Sequence, residues 1–425
     1  MWINSSAISL KGNNWLSAIR SFVFIAIGFS IPLSTAAISI TFILLLFLWL
    51  LDRNYLAKWN MIRQSPVYLA IIAFFVLHLL GLLWLEAPEP INGFKSWMVY
   101  LIPVWATAVD AKTARRGVFA FLLAMLISHF WVYLNIFQNW DAYVELKSLD
   151  YLQPLVEGRF YISGSRVTYN PLLAFAIAIL FVSLMAGFYT GWRQVVAIGL
   201  LVAMTINMFM TDGRSGQLAF VLVVSVLAIH FFWKRWKMLG AMFGVLLVTI
   251  SLASSFSPVF KDRLLQMKTG LSHVQEQRES PTQTNKIKGS VEQRLHFIET
   301  SLKAIKDKPW LGYGTGSYEY AWGKQVEKNP SGIMPRSTNP HNHHVLILVQ
   351  FGLLGFLVYA SIYGVQLWQV RTMPASYEFR SLALLLPLFY LLINNFDSSL
   401  WSHQMQALFA YITAIIYRRD MWEKV

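Results

Sequence analysis

The chain has 425 residues, 56% of them hydrophobic and only 13% charged, and it contains no cysteine. A soluble globular domain carries about 25% charged residues, so lipid is the solvent for most of this sequence. Disulfides and thiolate metal ligands are excluded. The net charge of +14 reads, in such a chain, as cytoplasmic loops and contacts with anionic headgroups, not as a nucleic-acid surface.

Apolar stretches of about 20 residues recur from end to end, each long enough for a hydrocarbon core of about 30 Å. A window reading places about twelve, near 15–32, 34–51, 66–85, 94–109, 117–139, 171–188, 193–210, 216–233, 238–256, 342–369, 380–395 and 400–417. The first lacks a small-residue cleavage site and leads straight into the second, so it reads as a retained helix.

Arg53, Lys58 and Arg63 follow the second span, and Lys112, Arg115 and Arg116 the fourth. Lys234, Arg235 and Lys237 follow the eighth, Arg371 and Arg380 flank the tenth loop, and Arg418 and Arg419 close the last helix. With both termini cytoplasmic, all of these fall on one side, while the opposite short loops carry Glu86, Glu89 or Asp397. The positive-inside rule is met with one exception, Arg214.

Two far-side segments are too long for turns. The first is about 140–170; the second, about 257–341, is the sizeable polar region. Its middle, Gln275 to Lys288, is charged and rich in Ser, Thr and Gln, and reads as a linker. Ser290 with Gln293 then reads as a capping box. Val291, Leu295, Ile298, Leu302 and Ile305 recur at helical spacing until Pro309, which predicts an amphipathic helix over 290–308 lying on an apolar surface. The organisation expected is nine spans over 1–256, the loop 257–341, and three spans over 342–425. No internal repeat is visible.

The residues that could carry chemistry lie on the far side. His341, His343 and His344, flanked by Asn339 and Asn342, stand where the loop enters the tenth span. Imidazole titrates near neutrality and can exchange a proton there. No carboxylate or cysteine sits beside the cluster at ligand spacing, so a zinc site is disfavoured. Gly352 follows His341 after ten residues and Gly355 three later, on one helical face that would admit a close partner helix.

Arg294 shares the predicted inward face of the amphipathic helix; it either snorkels there or grips an anion. Arg214, in the break Thr211-Asp-Gly-Arg-Ser-Gly-Gln-Leu218, is costly at this depth without an anionic partner. Asp212 or a phosphate would serve, and Arg offers a phosphate its bidentate fork. Asp397 either orients a histidine, binds a sugar hydroxyl, or sits in a solvated turn. His78 and His129 read as packed core histidines. No Walker loop, dinucleotide fingerprint or Asp-x-Asp motif occurs. Arginines for a phosphate, an imidazole for a proton and a wide apolar scaffold together suggest a lipid-linked phosphate as substrate.

Three stretches complete the picture: Ser290-Val-Glu-Gln-Arg294, Lys308-Pro-Trp-Leu-Gly-Tyr-Gly-Thr-Gly316, and Pro340-His-Asn-His followed by Gln350-Phe-Gly-Leu-Leu-Gly355. They resemble the superfamily of O-antigen ligases, Wzy polymerases and PglL-type protein O-oligosaccharyltransferases. Arg214-Ser-Gly-Gln-Leu218 resembles the ligases' Arg-x-x-x-Leu element, and His341 with Gly352 their spaced His and Gly.

The resemblance implies an all-α polytopic, GT-C-like membrane protein of about twelve helices with a long, partly helical periplasmic loop. It implies a glycosyltransferase of the bacterial inner membrane that inverts configuration, needs no cofactor and no metal, and works on the periplasmic face. The donor would be a glycan on undecaprenyl pyrophosphate and the acceptor a sugar of lipid A–core, with membrane lipids as surroundings. In that reading His341 is the general base, and Arg214, Arg294 and, more weakly, Arg166 bind the pyrophosphate. Asn342, His343, His344 and Asp397 are possible supports. A polymerase or protein oligosaccharyltransferase would use the same donor groups. A transporter of lipid-linked sugars would instead place ionisable groups near mid-membrane.

Overall fold

A computed structural model describes residues 14–88, 90–145, 160–257, 290–328 and 336–422, together with 260–261, 265 and 268. The expected linker from Gln275 to Lys288 lies outside the described residues, as does the side chain of Ser290. Among the described residues every regular element is helical.

The chain opens with α1 (Asn14–Ser30), α2 (Thr35–Leu51), α3 (Tyr55–Arg63) and α4 (Pro66–Leu80). Two short pieces, α5 (Trp97–Tyr100) and α6 (Ile102–Ala106), lead to α7 (Ala111–Gln138) and α8 (Trp140–Glu145). Then come α9 (Arg166–Met185), α10 (Trp192–Met210), α11 (Arg214–Phe232) and α12 (Trp236–Phe256). The polar region contributes α13 (Ser290–Asp307) and α14 (Tyr318–Lys328), and α15 (His343–Thr372), α16 (Tyr377–Ile393) and α17 (His403–Ile416) close the fold.

Six of these, α7, α9, α10, α11, α12 and α15, are each long and apolar enough to cross a bilayer, so the chain is a multi-pass membrane protein. α1 and α4 are apolar but shorter, and α2 and α3 qualify only as a pair bent by 116°. Polar side chains close the orphan amides at helix starts. Ser34 accepts from the Ala37 amide at 3.2 Å, Asp110 from Thr113 at 2.8 Å, and Ser165 with Thr168 forms a capping box. The expected fourth span, 94–109, is not one helix but a series of short pieces, a 3-10 turn over Pro90–Ser96 followed by α5 and α6. Pro103 has no amide to donate, so the chain restarts there as α6.

α17 forms the axis: every residue from Gln404 to Ile416 is buried, as an element apolar on all sides must be. α12 is its opposite, with Leu246 its one buried residue and Leu247 and Val245 facing outward toward lipid. Across the bundle α4 packs on α15, α15 on α16, and α16 on both α11 and α9. The Tyr377 hydroxyl donates to the His230 carbonyl and their rings stack at 4.5 Å. The end of α16 and the start of α11 therefore lie at the opposite end of the bundle, each about 24 Å away along its axis.

Of the basic loop residues, Lys58 is buried in an ion cluster with Asp52, at 3.2 Å, and Arg20.

The amphipathic helix exists, but it is rotated from the sequence expectation. α13 buries Phe297, Thr300, Ser301 and Ala304 and leaves Leu302 46% exposed. Phe297 and Ala304 enter a small second core with Tyr318 and Trp322 of α14 and Leu346 and Val349 of α15. The aromatic partners lie later in the chain, and they select the face that carries Phe297 over the aliphatic stripe.

α15 is broken. Gly352 has φ 60° and ψ −162° inside it, a conformation that is essentially glycine's alone. The loop after α13 fills the break. Tyr313 and Gly314 amides donate to the Val349 and Gln350 carbonyls at 3.1 and 2.8 Å, while the Leu353 and Leu354 amides donate to Pro309 and Trp310 at 2.8 and 3.2 Å. Backbone groups freed in a spanning helix are thus repaired by a loop. A Cβ on Gly352 would stand 2.3 Å from the Trp310 carbonyl carbon. The close approach that the glycine permits is by this loop; the partner helix, α4, meets Gly355 through Leu77.

Candidate active site

His341 is one of two described non-glycine residues with positive φ, at 50°. Strain of that kind costs on the order of 1 kcal/mol and persists where the surroundings over-determine it. They do so here. The Asn339 carboxamide oxygen accepts from the His341 amide at 2.9 Å and from the Ser398 hydroxyl at 2.6 Å. Downstream, the His343 amide donates to the Asn394 carbonyl at 2.7 Å, and Asn342 donates to Asn395 at 3.3 Å. The entry to α15 is thereby stitched to the exit of α16, and the His341 ring is turned toward Asp397.

Nδ1 of His341 lies 3.1 Å from Oδ1 of Asp397, which also accepts from the Ser398 amide at 2.8 Å. An ionised carboxylate only accepts, so Nδ1 carries the hydrogen and Nε2 holds a lone pair. The ring is 44% exposed and rests against Phe297 of α13, with centroids 5.6 Å apart. One turn before Phe297 comes Arg294. Burial lowers the pKa of its guanidinium, and the nearby Asp397 carboxylate opposes that shift. An imidazole, a carboxylate and a partly desolvated guanidinium thus lie near one another.

The other two arginines start helices at the same end of the bundle. Arg166, the first residue of α9, pairs with Asp212 at 2.9 Å, and Arg214 is the first of α11. The turn between them is built on Asn170, which accepts from Thr211 at 2.8 Å and donates to the Gly213 carbonyl at 3.4 Å. A Cβ on Gly216 would meet Asn170 at 2.3 Å. Gly164, just before α9, abuts Gln404 of α17, seven residues beyond Asp397. Helix starts present unpaired amides and a positive dipole end, both of which favour an anion.

The remaining sequence candidates take other positions. His343 is fully buried against Tyr359, and His344 donates Nε2–H to the Leu391 carbonyl at 3.0 Å. Asn342 caps α15 by accepting from the Val345 amide at 3.0 Å. Of the three clustered imidazoles, His341 alone meets Asp397. Phe297, Ser398 and the 309–316 loop were not singled out as site elements from sequence. The glycines of that loop were the available signal: Gly312, Gly314 and Gly316 all have positive φ.

Residues 199–360 match a family model described as O-antigen ligase. The matched stretch contains Arg214, Arg294, His341 and the break at Gly352, whereas Arg166 and Asp397 fall outside it. No curated protein matches the chain.

Proposed function

We propose that this member of the O-antigen ligase family transfers a glycan from undecaprenyl pyrophosphate to a sugar hydroxyl of lipid A–core. The proposal includes a GT-C-like bundle of about twelve spans in the bacterial inner membrane, with both termini cytoplasmic. The reaction site faces the periplasm, with spans over 1–256 and 342–425 and the loop 257–341 between them. One observation supports the chemistry: the 3.1 Å contact of His341 Nδ1 with Asp397, close enough to Arg294 for the carboxylate to act on its guanidinium, which leaves Nε2 to serve as the proton acceptor.

In the reaction the acceptor oxygen forms a bond to the anomeric carbon as the carbon–oxygen bond to pyrophosphate breaks. The leaving group keeps the electron pair, and the hydroxyl proton passes to His341 Nε2. Attack from the face opposite the leaving group inverts the centre. Asp397 holds the tautomer and stabilises the imidazolium. Arg294 and Arg214, with Arg166 held on Asp212, meet the charge that builds on the pyrophosphate, so the step is metal-independent. Preorganised donors of this kind contribute a few kcal/mol each, and general-base assistance about 10²–10⁴-fold.

The test is reconstitution of the purified chain with a lipid-linked glycan and lipid A–core. Glycan appearing on the core supports the reading. Lengthening of the lipid-linked glycan without transfer to the core rejects the ligase assignment in favour of a polymerase.

A further inference from the structure

The family assignment does not account for the flank of the site opposite Arg166 and Arg214. There the loop after α4 lies along the segment between α13 and α14. Trp84 Nε1–H donates to the Leu311 carbonyl at 3.0 Å and the Glu86 amide to Tyr313 at 3.3 Å. Lys308 and Lys324 (3.0 Å) share the Glu86 carboxylate, and Glu327 also acts on Lys324. Both ammonium groups lie over aromatic rings, Lys308 above Tyr313 at 4.9 Å and Lys324 above Tyr320 at 4.7 Å. Further along, Lys95 stands 4.9 Å above the ring of Trp401, and among the described residues no carboxylate pairs with it. Its segment is fixed: the Ser96 hydroxyl donates to the Leu400 carbonyl at 3.0 Å. Trp401 is four residues from Asp397, at most about 14 Å of chain.

The same surface has an apolar lower edge. Leu83 is 81% exposed, Trp310 61% and Leu311 50%, with Leu354 of α15 beside them. Their depth follows from the backbone pairing. Tyr313, whose ring lies under both lysines, bonds to Val349, about 9 Å inward from the start of α15 at 1.5 Å per residue, whereas Trp310 bonds to Leu354 beyond the break at Gly352 and so lies deeper. Headgroups occupy about 5–7 Å outside each face of the hydrocarbon core. From inside outward the order is apolar edge, then cations on aromatic rings, then His341.

We propose that this surface is the acceptor's docking platform and takes an anionic, phosphate-bearing glycolipid of the outer leaflet of this membrane. Its acyl chains lie on the Leu83–Trp310–Leu311 edge, its phosphates meet Lys308, Lys324 and Lys95, and its sugars extend over Trp401 to His341. The inference rests on the reading of the chain as a transferase to a lipid-anchored sugar. It adds that the acceptor enters from the α4 side, while a donor held at Arg166 and Arg214 enters from the α9–α11 side. α15 and α16, which carry the His341–Asp397 pair at their ends, stand between the two.

The test uses the full chain in zwitterionic nanodiscs with donor fixed. Two acceptors are compared, phosphorylated lipid A–core and the same material after phosphatase treatment. K95Q and K324Q should each raise the acceptor KM about fivefold, and their combination more than tenfold, on the phosphorylated acceptor alone. Donor KM should stay within twofold, and K95R should behave as wild type. L83S with W310S should raise KM for the lipid acceptor and leave transfer to the lipid-free core oligosaccharide unchanged, which also reports that the variant is folded. Equal use of both acceptors by wild-type protein, or a rise in donor KM in place of acceptor KM, overturns the platform. Wild-type protein that transfers to neither acceptor overturns the functional reading, and the platform with it.

Discussion

Asp397→Asn keeps the side chain's shape and removes its charge. The oxygen that accepts from His341 at 3.1 Å and from the Ser398 amide at 2.8 Å can remain in place as an amide oxygen, so the ring keeps its orientation. In the proposed reaction, what is lost is the anion facing an imidazole that becomes cationic as it takes the acceptor's proton. Hydrogen bonds to charged partners contribute about 1.5–3 kcal/mol against about 0.5–1.5 for neutral ones. With the pair partly exposed to water, the loss should be about 1–2 kcal/mol, a fall in kcat of about 5–30-fold. Asp397→Ala also leaves the Ser398 amide without its acceptor and should approach the full effect of His341→Ala, about 10²–10⁴-fold. Single-turnover transfer at saturating donor and acceptor reads the chemical step directly. Saturation matters because removing a carboxylate beside Arg294 also alters donor affinity. The two residues act as a unit, so Asp397→Asn added to His341→Ala should cost nothing further in kcat. An equal cost on both backgrounds would mean that Asp397 works through something other than the imidazole, and the dyad would have to be abandoned.

Arg294→Ala and Arg214→Ala should each lower transfer about 10²-fold and weaken donor binding, with lysine restoring only part, because the planar fork is lost; isothermal titration with a pyrophosphate-linked lipid would check this, and unchanged affinity in both variants would remove the arginines from the site. Gly352→Ala forces a Cβ to 2.3 Å from the Trp310 backbone at a φ of 60°, so it should cost at least about 3 kcal/mol and lower the thermal midpoint; a midpoint equal to wild type would refute the loop–helix pairing. Asn339→Ala removes the acceptor for both the His341 amide and the Ser398 hydroxyl and should reduce kcat about tenfold with acceptor KM unchanged. The hydrogen bond from Lys328, and then that from Gln325, holds the Asp307 carboxyl below its usual range. Its contribution to loop stability is therefore present above the unfolded carboxylate pKa and lost as pH falls through the lowered folded value. Protease sensitivity of the 290–328 region should rise there in wild type but not in Asp307→Asn.

The spans were legible wherever lipid alone decides the outcome. The expected 193–210, 216–233 and 238–256 differ from α10, α11 and α12 by two residues or fewer at either end, because an apolar run has one way to satisfy its backbone in hydrocarbon. Composition was silent where two segments share the work. Nothing in the run 94–109 except Pro103 announces that it breaks, and the bend of 116° between α2 and α3 depends on Asp52 drawing Arg20 and Lys58 into one buried cluster. The buried face of α13 escapes a periodicity count for the same reason. A periodicity count weights Leu302 and Phe297 alike, yet the partner surface, Tyr318 and Trp322 from α14, favours the aromatic ring.

The candidate site shows how far that limit extends. A cluster of three histidines was visible at once, but three imidazoles within four residues point in different directions on an incipient helix, and periodicity does not choose among them. The choice is made by a left-handed residue, by Asn339, and by a stitch to a segment more than fifty residues later. Asp212 shows the same thing: it holds Arg166, forty-six residues away in the chain. Both cases arise at helix starts. There the first turn leaves amides and side chains unpaired, and whichever neighbouring element arrives supplies the partner. Residue types at a membrane boundary therefore indicate which chemistry is available. The order in which helices pack, α4 on α15, α15 on α16 and α16 on α11 and α9, determines which of those residues come together at one end of the bundle.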